Sequence, residues 1–389
     1  MRKSILIAAF SLAACSAYAQ QTLTIIEQDY ELARETALQQ HKLLIVDFYT
    51  TWCMPCKKLD NMIFKNDSIA HEISKNFVVL KYDAEKDSVH NLSLKHHICS
   101  YPTTIVLTSN GKLINKMFGL GGGDFNSLTV NYTKLLTESM LLDKQGKYIE
   151  GVSTAIDPAV YPAFYKKYVR RTADIKPGDL RNYWANNKRL DDEVSFAILA
   201  YFGEAPEPVV DYFIQHKSGY EQRFGKKDVM FVVSNLTSGK FRAAIAAKDE
   251  ASYQSAIRFM RKQLPAADAD EYLQAYSMEM YIALGKWEQA IAHLDERIRL
   301  KKINAGGINY FCWKVYEHCS DKKVISRAVQ LMKNVTDTQP LFGPLDTYAR
   351  LLAKNGNKEE AIVEMKRAIE KGKAAGEDTK ESEEALSKF

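Results

Sequence analysis

The spacing of hydrophobic and polar residues divides the chain near residue 144. Before that point, short apolar runs alternate with stretches in which apolar positions recur every three or four residues. Short apolar runs are typical of buried strands, and the longer period is typical of helices. The strands predicted in this way cover 21–26, 43–49, 77–82, 104–108 and 112–118. The predicted helices cover 28–40, 57–64, 68–75 with Asp67 as N-cap, 87–97, and about 125–143 with Asp124 as N-cap.

Asn110-Gly111 lies between the last two predicted strands and is a strong signal for a tight hairpin turn. Strands 104–108 and 112–118 are therefore predicted to pair antiparallel. The complete order of elements is β-α-β-α-β-α-β-β-α. This order predicts an α/β domain in which helices cover both faces of a central mixed sheet.

After residue 144 strand signals become rare and helical periodicity continues to the end of the chain. Glycine, proline and aspartate separate the predicted helices from one another. Those predicted up to residue 263 cover 161–171, 179–186, 191–202, 207–215, 227–236, 239–247 and 250–263. This part of the chain is therefore predicted to be all-α.

The last part of the chain contains a divergent repeat. Residues 285–291 and 356–362 align without a gap, and Ser326-Arg327-Ala328-Val329 lies between them. Each repeat has an alanine followed four positions later by a larger apolar residue: Ala290 and Leu294, Ala328 and Met332, Ala361 and Met365. Such small residues let paired helices approach closely, and the pattern resembles two or three tetratricopeptide-like helical hairpins. A stack of this kind often binds a protein partner on its concave face, and a simple helical spacer is the alternative.

The first residues have the character of a secretory signal. Met1-Arg2-Lys3 is positive, and Ser4 to Ala14 is mostly apolar but too short to span a membrane. Ala17-Tyr18-Ala19 before Gln20 fits ordinary signal peptidase, whereas Leu12-Ala13-Ala14-Cys15 resembles a bacterial lipobox, which would leave Cys15 as a lipid anchor. Both alternatives stay open, and both predict export to a bacterial periplasm. The predicted domains are then a signal at 1–19, an α/β domain at 20–143, a helical region at 144–265 and helical hairpins at 266–389.

Charge and cysteine content exclude some classes of function. The net charge is +5, and the basic pairs are scattered among acidic residues. This is typical of a solvated mixed-charge surface and excludes a nucleic-acid-binding patch. Cys15 apart, five of the six cysteines remain, too few for a disulfide scaffold.

Cys53 and Cys56 form a C-x-x-C motif where the strand 43–49 ends and the helix 57–64 begins. A helix N-terminus presents unpaired N–H groups that stabilise a thiolate, the form of cysteine that attacks a disulfide. We expect Cys53 to be exposed in the first turn and to attack a partner disulfide. Cys56, one turn deeper, would then attack the mixed disulfide and release the partner. Pro55 is tolerated there because its missing N–H lies in the first helical turn.

The motif Trp52-Cys53-x-Pro55-Cys56-Lys57, following Asp47-Phe48, resembles the active site of the thioredoxin family. Its continuation as far as Asp67 is closer to the periplasmic thioredoxin-like domains of thiol:disulfide interchange reductases. The resemblance covers roughly residues 20–140 and implies an α/β thioredoxin fold.

The resemblance also implies roles for residues outside the motif. Pro102 matches the family's cis-proline, which lies against the cysteines, and Tyr101-Pro102 would form a loop that faces the substrate. Trp52 and Pro55 would complete that substrate-binding surface. Asp47 matches a carboxylate buried beneath the dithiol, where a raised pKa would let it accept the proton of Cys56.

The other cysteines and the adjacent histidines suggest no second active site. Cys99 is interpreted either as a third thiol near the site or, more commonly for such a residue, as part of the core. Cys312 and Cys319 are predicted to be unpaired core residues, since seven helical positions span roughly 10 Å and a disulfide needs less than about 7 Å. His96 and His97 point in different directions on a helix, and no second C-x-x-C completes a metal site.

The sequence therefore predicts an exported thiol–disulfide oxidoreductase that reduces protein disulfides through Cys53 and Cys56. Its partners would be disulfide-bearing client proteins and an upstream thiol electron donor, and the dithiol itself needs no dissociable cofactor. The alternative is an adaptor in which the helical hairpins bind a protein and the redox-type domain is mainly structural. Met54-Pro55 does not fix the direction of electron flow, which depends on how the fold stabilises the Cys53 thiolate.

Overall fold

The structure is a computed structural model, and it describes residues 22–122, 124–155, 157–176 and 178–389. The predicted signal at 1–19, with both cleavage sites and Cys15, lies outside the described residues. The chain forms two compact units, one ending at Leu236 and the other spanning Thr237–Phe389. The predicted domain limits at 143 and 265 stay predictions.

A five-stranded sheet lies in the first unit, with the order β1-β3-β2-β4-β5. Its strands are β1 (Ile25–Glu27), β2 (Leu43–Tyr49), β3 (Phe77–Asp83), β4 (Thr103–Leu107) and β5 (Leu113–Phe118). β3 pairs parallel with β1 and β2, whereas β4 pairs antiparallel with β2 and β5. The predicted mixed sheet and the predicted hairpin are confirmed. β2 is the central strand of the sheet and is largely buried. The residues that follow its C-terminal end therefore begin in the middle of one edge of the sheet.

The helices that accompany the sheet are α1 (Tyr30–Gln39), α2 (Met54–Leu59), α3 (Asp67–Ser74), α4 (Leu92–Lys95) and α5 (Phe125–Lys144). α2 continues into a π-helical turn over Asp60–Phe64. Asp124 caps α5 as predicted, its side chain accepting a hydrogen bond from the Ser127 N–H.

Two details of these helices differ from prediction. The side chain of Asn66, not of Asp67, accepts the N–H of Ile69 and caps α3. The helix predicted over 87–97 is reduced to α4, because Asn91 before it and His97 after it have left-handed backbone conformations. Asp87 is used elsewhere: its carboxylate accepts hydrogen bonds from the Tyr82 hydroxyl and the Ser93 N–H.

The rest of the described chain is helical, as predicted. Up to the end of the first unit the helices are α6 (Ala163–Val169), α7 (Asp179–Asn186), α8 (Glu193–Phe202), α9 (Glu207–Gln215), α10 (Lys217–Phe224) and α11 (Lys226–Ala246). The division between the two units falls inside α11. The two helices predicted at 227–236 and 239–247 are thus one continuous helix, since Gly239 lowers helix stability without ending the helix.

A buried charged cluster fixes the first part of α11 to the sheet. The carboxylate of Asp228 lies 2.6 Å from Lys116 Nζ of β5 and 2.8 Å from His97 Nε2. Burial raises the pKa of Asp228, but the Lys116 cation and the hydrogen bond from His97 outweigh it and lower that pKa to about 2. Because His97 lies five residues before Pro102, the cluster also holds the segment that leads to the predicted substrate loop.

The second unit contains α12 (Glu250–Gln263), α13 (Ala266–Ala283), α14 (Trp287–Arg299), α15 (Ala305–His318), α16 (Lys322–Thr338), α17 (Phe342–Asn355), α18 (Lys358–Ala375) and α19 (Lys380–Leu386). Ala290, Ala328 and Ala361 are completely buried there, which confirms their predicted packing role. Their assignment to tetratricopeptide repeats stays a prediction. Cys312 and Cys319 are free and buried, as expected. None of the described helices has the length and apolar character needed to cross a membrane.

Candidate active site

The dithiol lies where β2 gives way to α2, in the middle of the sheet's C-terminal edge. Cys53 is the N-cap of α2, and its Sγ accepts a hydrogen bond from the Cys56 N–H over 3.1 Å. Pro55 lies in the first turn, where its missing N–H costs no helical hydrogen bond. The helix N-terminus therefore directs an N–H group and the positive end of its dipole at the sulfur of Cys53.

Cys53 and Cys56 are joined in a disulfide with an S–S distance of 2.04 Å. Each cysteine is only 3% exposed, so the expectation that Cys53 would be exposed is wrong for this oxidised form. The structure thus shows a redox-capable pair whose sulfurs are almost covered.

Asp47, near the C-terminal end of β2, is completely buried and is linked to a lysine. β2 and β3 pair in a register that sets Asp47 beside Lys81, and Lys81 Nζ lies 2.6 Å from Asp47 Oδ2. The same ammonium lies 3.2 Å from Asp60 Oδ1, in the π-helical turn after α2. Two carboxylates therefore share one buried cation.

Burial dominates the acidity of Asp47. It raises the pKa of the Asp47 carboxyl, and Lys81 offsets that rise only in part. In the described part of the chain, Asp47 Oδ1 has no hydrogen-bond partner. A carboxylate oxygen with a raised pKa and no donor is suited to accept a proton.

A cleft of about 480 Å³ reaches this network from outside. Cys56, Asp60 and Lys81 are among the residues that line it, together with Glu27 and Tyr49. The cleft therefore reaches the Lys81 and Asp60 members of this network from the side that Cys56 also lines.

The predicted substrate loop lies directly before β4, the strand that pairs with the C-terminal half of β2. The Tyr101–Pro102 peptide bond is cis, as the resemblance implied, and β4 begins at the next residue. The rings of Trp52 and Tyr101 pack edge to face, 6.4 Å between centroids. Trp52 is 54% exposed, so this aromatic pair presents an open apolar surface. The structure brings these residues together, while their roles stay predictions.

Cys99 lies in the segment that precedes this loop but has the character of an inert thiol. Its Sγ lies 4.0 Å from the Ala200 carbonyl oxygen, and burial raises the pKa of the thiol to about 12. Reactive cysteines have lowered pKa values instead. Cys99 is half-buried and lines a cleft, so it is not part of the core, and its raised pKa argues against a third redox thiol.

Three further residues at the site were not predicted from the sequence: Lys81, Glu85 and Arg171. Lys81 has a signal in the sequence, because it is the one charged residue in the otherwise apolar and aromatic run 77–82. Glu85 accepts a hydrogen bond from Trp52 Nε1 over 2.9 Å. Arg171, more than a hundred positions after Trp52, has no such signal.

Comparisons with known proteins agree with this geometry. A family profile described as thioredoxin-like matches residues 25–109. Thioredoxin-1 of Drosophila melanogaster is 34% identical over 108 residues, which are 28% of this chain and 91% of the relative. Thioredoxin-1 of Saccharomyces cerevisiae is 34% identical over 22% of this chain and 76% of its own. The solved structure of the germline-specific thioredoxin Deadhead from Drosophila melanogaster is 31% identical, covering 26% of this chain and 89% of that one, with a TM-score of 0.21.

Proposed function

This chain belongs to the thioredoxin family, and we propose that its thiol–disulfide chemistry runs in the reductive direction, on the disulfides of other proteins. The attack on a client disulfide is supported by the N–H of Cys56, which is directed at Cys53 Sγ from the start of α2, and the reductive direction is supported by the similarity to thioredoxins. In the reduced protein the same N–H group would stabilise a Cys53 thiolate, the species that attacks a disulfide.

In the first step the Cys53 thiolate attacks one sulfur of a client disulfide. The client S–S bond breaks, a mixed disulfide forms between Cys53 and the client, and the second client sulfur leaves as a thiolate that takes a proton from solvent. Trp52 and Tyr101 would contact the client, a role supported by their packed rings and by the exposure of Trp52.

In the second step Asp47 takes the proton of the Cys56 thiol, and the Cys56 thiolate attacks Cys53 Sγ. The bond between Cys53 and the client breaks, and the client leaves fully reduced. Two electrons have then passed to the client, and the Cys53–Cys56 disulfide of the structure is the product. An upstream thiol donor, itself oxidised to a disulfide, must restore the dithiol.

The direction is tested by the reduction potential of the Cys53–Cys56 couple in the full chain, measured by thiol alkylation in defined thiol–disulfide buffers. A value near about −270 mV, typical of thioredoxin, is the expected result. A Cys99→Ser variant should give the same value, because Cys99 is held apart as a high-pKa thiol. A value above about −150 mV would show an oxidant and overturn the reductive direction.

We further propose that the protein works after export, in a bacterial periplasm. The support is the positive start and apolar stretch of residues 1–14. Mass spectrometry of the protein from a bacterial host is expected to show an N-terminus at Gln20 or a lipid-modified Cys15. An intact Met1 in protein recovered from the cytoplasmic fraction would contradict export.

A further inference from the structure

Helix α6 packs against α4, and a residue that follows it lies beside Trp52, the sequence neighbour of Cys53. The buried Tyr165 hydroxyl donates a hydrogen bond to the Leu94 carbonyl oxygen of α4 over 3.2 Å. Arg170, directly after the helix, donates a hydrogen bond to Asn91 Oδ1. These contacts, all within the first unit, hold the next residue, Arg171, in a defined position at the active-site rim.

Arg171 packs on both aromatic residues of that rim. Its guanidinium carbon lies 4.8 Å from the centre of the Trp52 ring and 5.8 Å from that of Tyr101. Cation–π contacts at these distances hold the guanidinium beside both rings. The appended helical region thereby adds a positive charge to the surface that the client must contact.

The donors of this guanidinium remain available. Arg171 forms a long ion pair with Glu85, whose Oε1 lies 3.7 Å from Nη1, but no hydrogen bond, and that oxygen already accepts the Trp52 indole N–H. Within the described ranges, the Arg171 side chain donates no hydrogen bond, and half of it is exposed, 50%. A half-exposed guanidinium whose N–H donors make no hydrogen bond therefore lies next to Trp52.

A cleft continues from Arg171 along the helical region. Its volume is about 640 Å³, enough for several residues of an extended chain. Besides Arg171 it is lined by Tyr168, Tyr201, Cys99 and the turn at 172–174. A polypeptide that crosses the Trp52–Tyr101 pair has room to continue past the guanidinium.

We propose that Arg171 is a specificity-determining residue that binds a carboxylate of the client polypeptide, an Asp or Glu side chain close to the cysteine under attack. The proposal rests on the proposed reduction of protein disulfides. A guanidinium matches a carboxylate with two parallel hydrogen bonds, and Glu85 is too distant to occupy them. Clients with an acidic residue beside their disulfide are thus preferred over neutral ones.

The backbone at Arg171 offers a variant that should fold. Arg171 has φ +54°, its N–H bonds to the Tyr168 oxygen, and the Thr172 N–H bonds to the Lys167 oxygen, a helix ending in which glycine is usually favoured. Arg171→Gly therefore removes the side chain and relieves the backbone. Lys301, with φ +55°, occupies the same position after α14, so Lys301→Gly is a control with the same change of charge and backbone.

The test uses two disulfide-linked peptides that differ only in having Glu or Gln next to the cysteine. The full-length protein reduces each peptide, and the two kcat/KM values are compared. The wild type and Lys301→Gly are expected to favour the Glu peptide about threefold to fivefold, a preference that 0.5 M salt should largely remove. Arg171→Gly should show a ratio near one. Arg171→Lys, which keeps the charge and loses the planar fork, should lie between.

Equal rates for the two peptides in the wild type, or an unchanged preference in Arg171→Gly, would overturn the role of Arg171 and leave the proposed function intact. If the wild type reduces neither peptide, the proposed function itself fails, and the role of Arg171 with it.

Discussion

Cys56→Ser is expected to stop the reaction at the mixed disulfide and to lower turnover by about a thousandfold or more. Without the second thiol, nothing within the protein displaces the client from Cys53. Cys53→Ser should lower turnover as strongly, but with no trapped client, because the attacking sulfur is gone. Reduction of a disulfide-linked peptide with a thiol donor measures the rates, and non-reducing electrophoresis shows the trapped species.

Cys99→Ser is the matched control for both variants. It removes a thiol from the same domain and should leave turnover within about twofold of the wild type, since its raised pKa makes it a poor nucleophile. If Cys53→Ser and the wild type turned over the peptide equally fast, the dithiol would not be the site, and the partner-binding adaptor would become the better interpretation.

Asp47→Asn is expected to slow client release by about a hundredfold at neutral pH while leaving the first attack nearly unchanged. Burial raises the pKa of Asp47, so its proton-accepting form appears only as the pH rises through that raised value. The wild-type release rate should therefore increase with pH in that range. The variant should lack this increase and follow only the titration of Cys56. Single-turnover release of a fluorescent peptide, measured across pH, separates the two steps.

The same substitution should change stability with a definite sign. Because the folded pKa of Asp47 is raised, its contribution to stability is fully present below its unfolded pKa, about 3.9, and is lost as the pH rises through the folded pKa. The Asp47→Asn variant has no such carboxylate to ionise and does not lose this contribution. The stability of the variant relative to the wild type should therefore improve as pH rises. Urea denaturation at several pH values measures this trend.

Asp60→Asn is a control of opposite sign. Hydrogen bonds from Lys65 and the charge of Lys81 outweigh burial and lower the pKa of Asp60, so its stabilising contribution exists above its unfolded pKa and is lost as pH falls through the folded value. The stability of the Asp60→Asn variant relative to the wild type should therefore worsen as pH rises. The same trend in both variants would show that burial does not control Asp47.

Local sequence patterns determined most of the elements. The apolar runs at 43–49 and 77–82, the Asn110-Gly111 turn and the Asp124 cap each act through residues a few positions apart, and the structure contains each feature. The C-x-x-C motif at a strand–helix junction likewise identified the dithiol. The limits of α4 were missed because Asp87 bonds to Tyr82 and Ser93 instead of extending the helix.

By itself, then, the sequence determined that a thioredoxin-type dithiol begins a helix in an α/β domain with a long helical region after it, because those features depend on short-range periodicity and turn chemistry. Only the tertiary structure decided the strand order, the pairing of Asp47 with Lys81, the near-complete covering of Cys53, and the placement of Arg171 over Trp52. These contacts join residues that are far apart in the sequence and are brought together by sheet register and helix packing. Patterns among neighbouring residues do not determine which distant side chains come into contact.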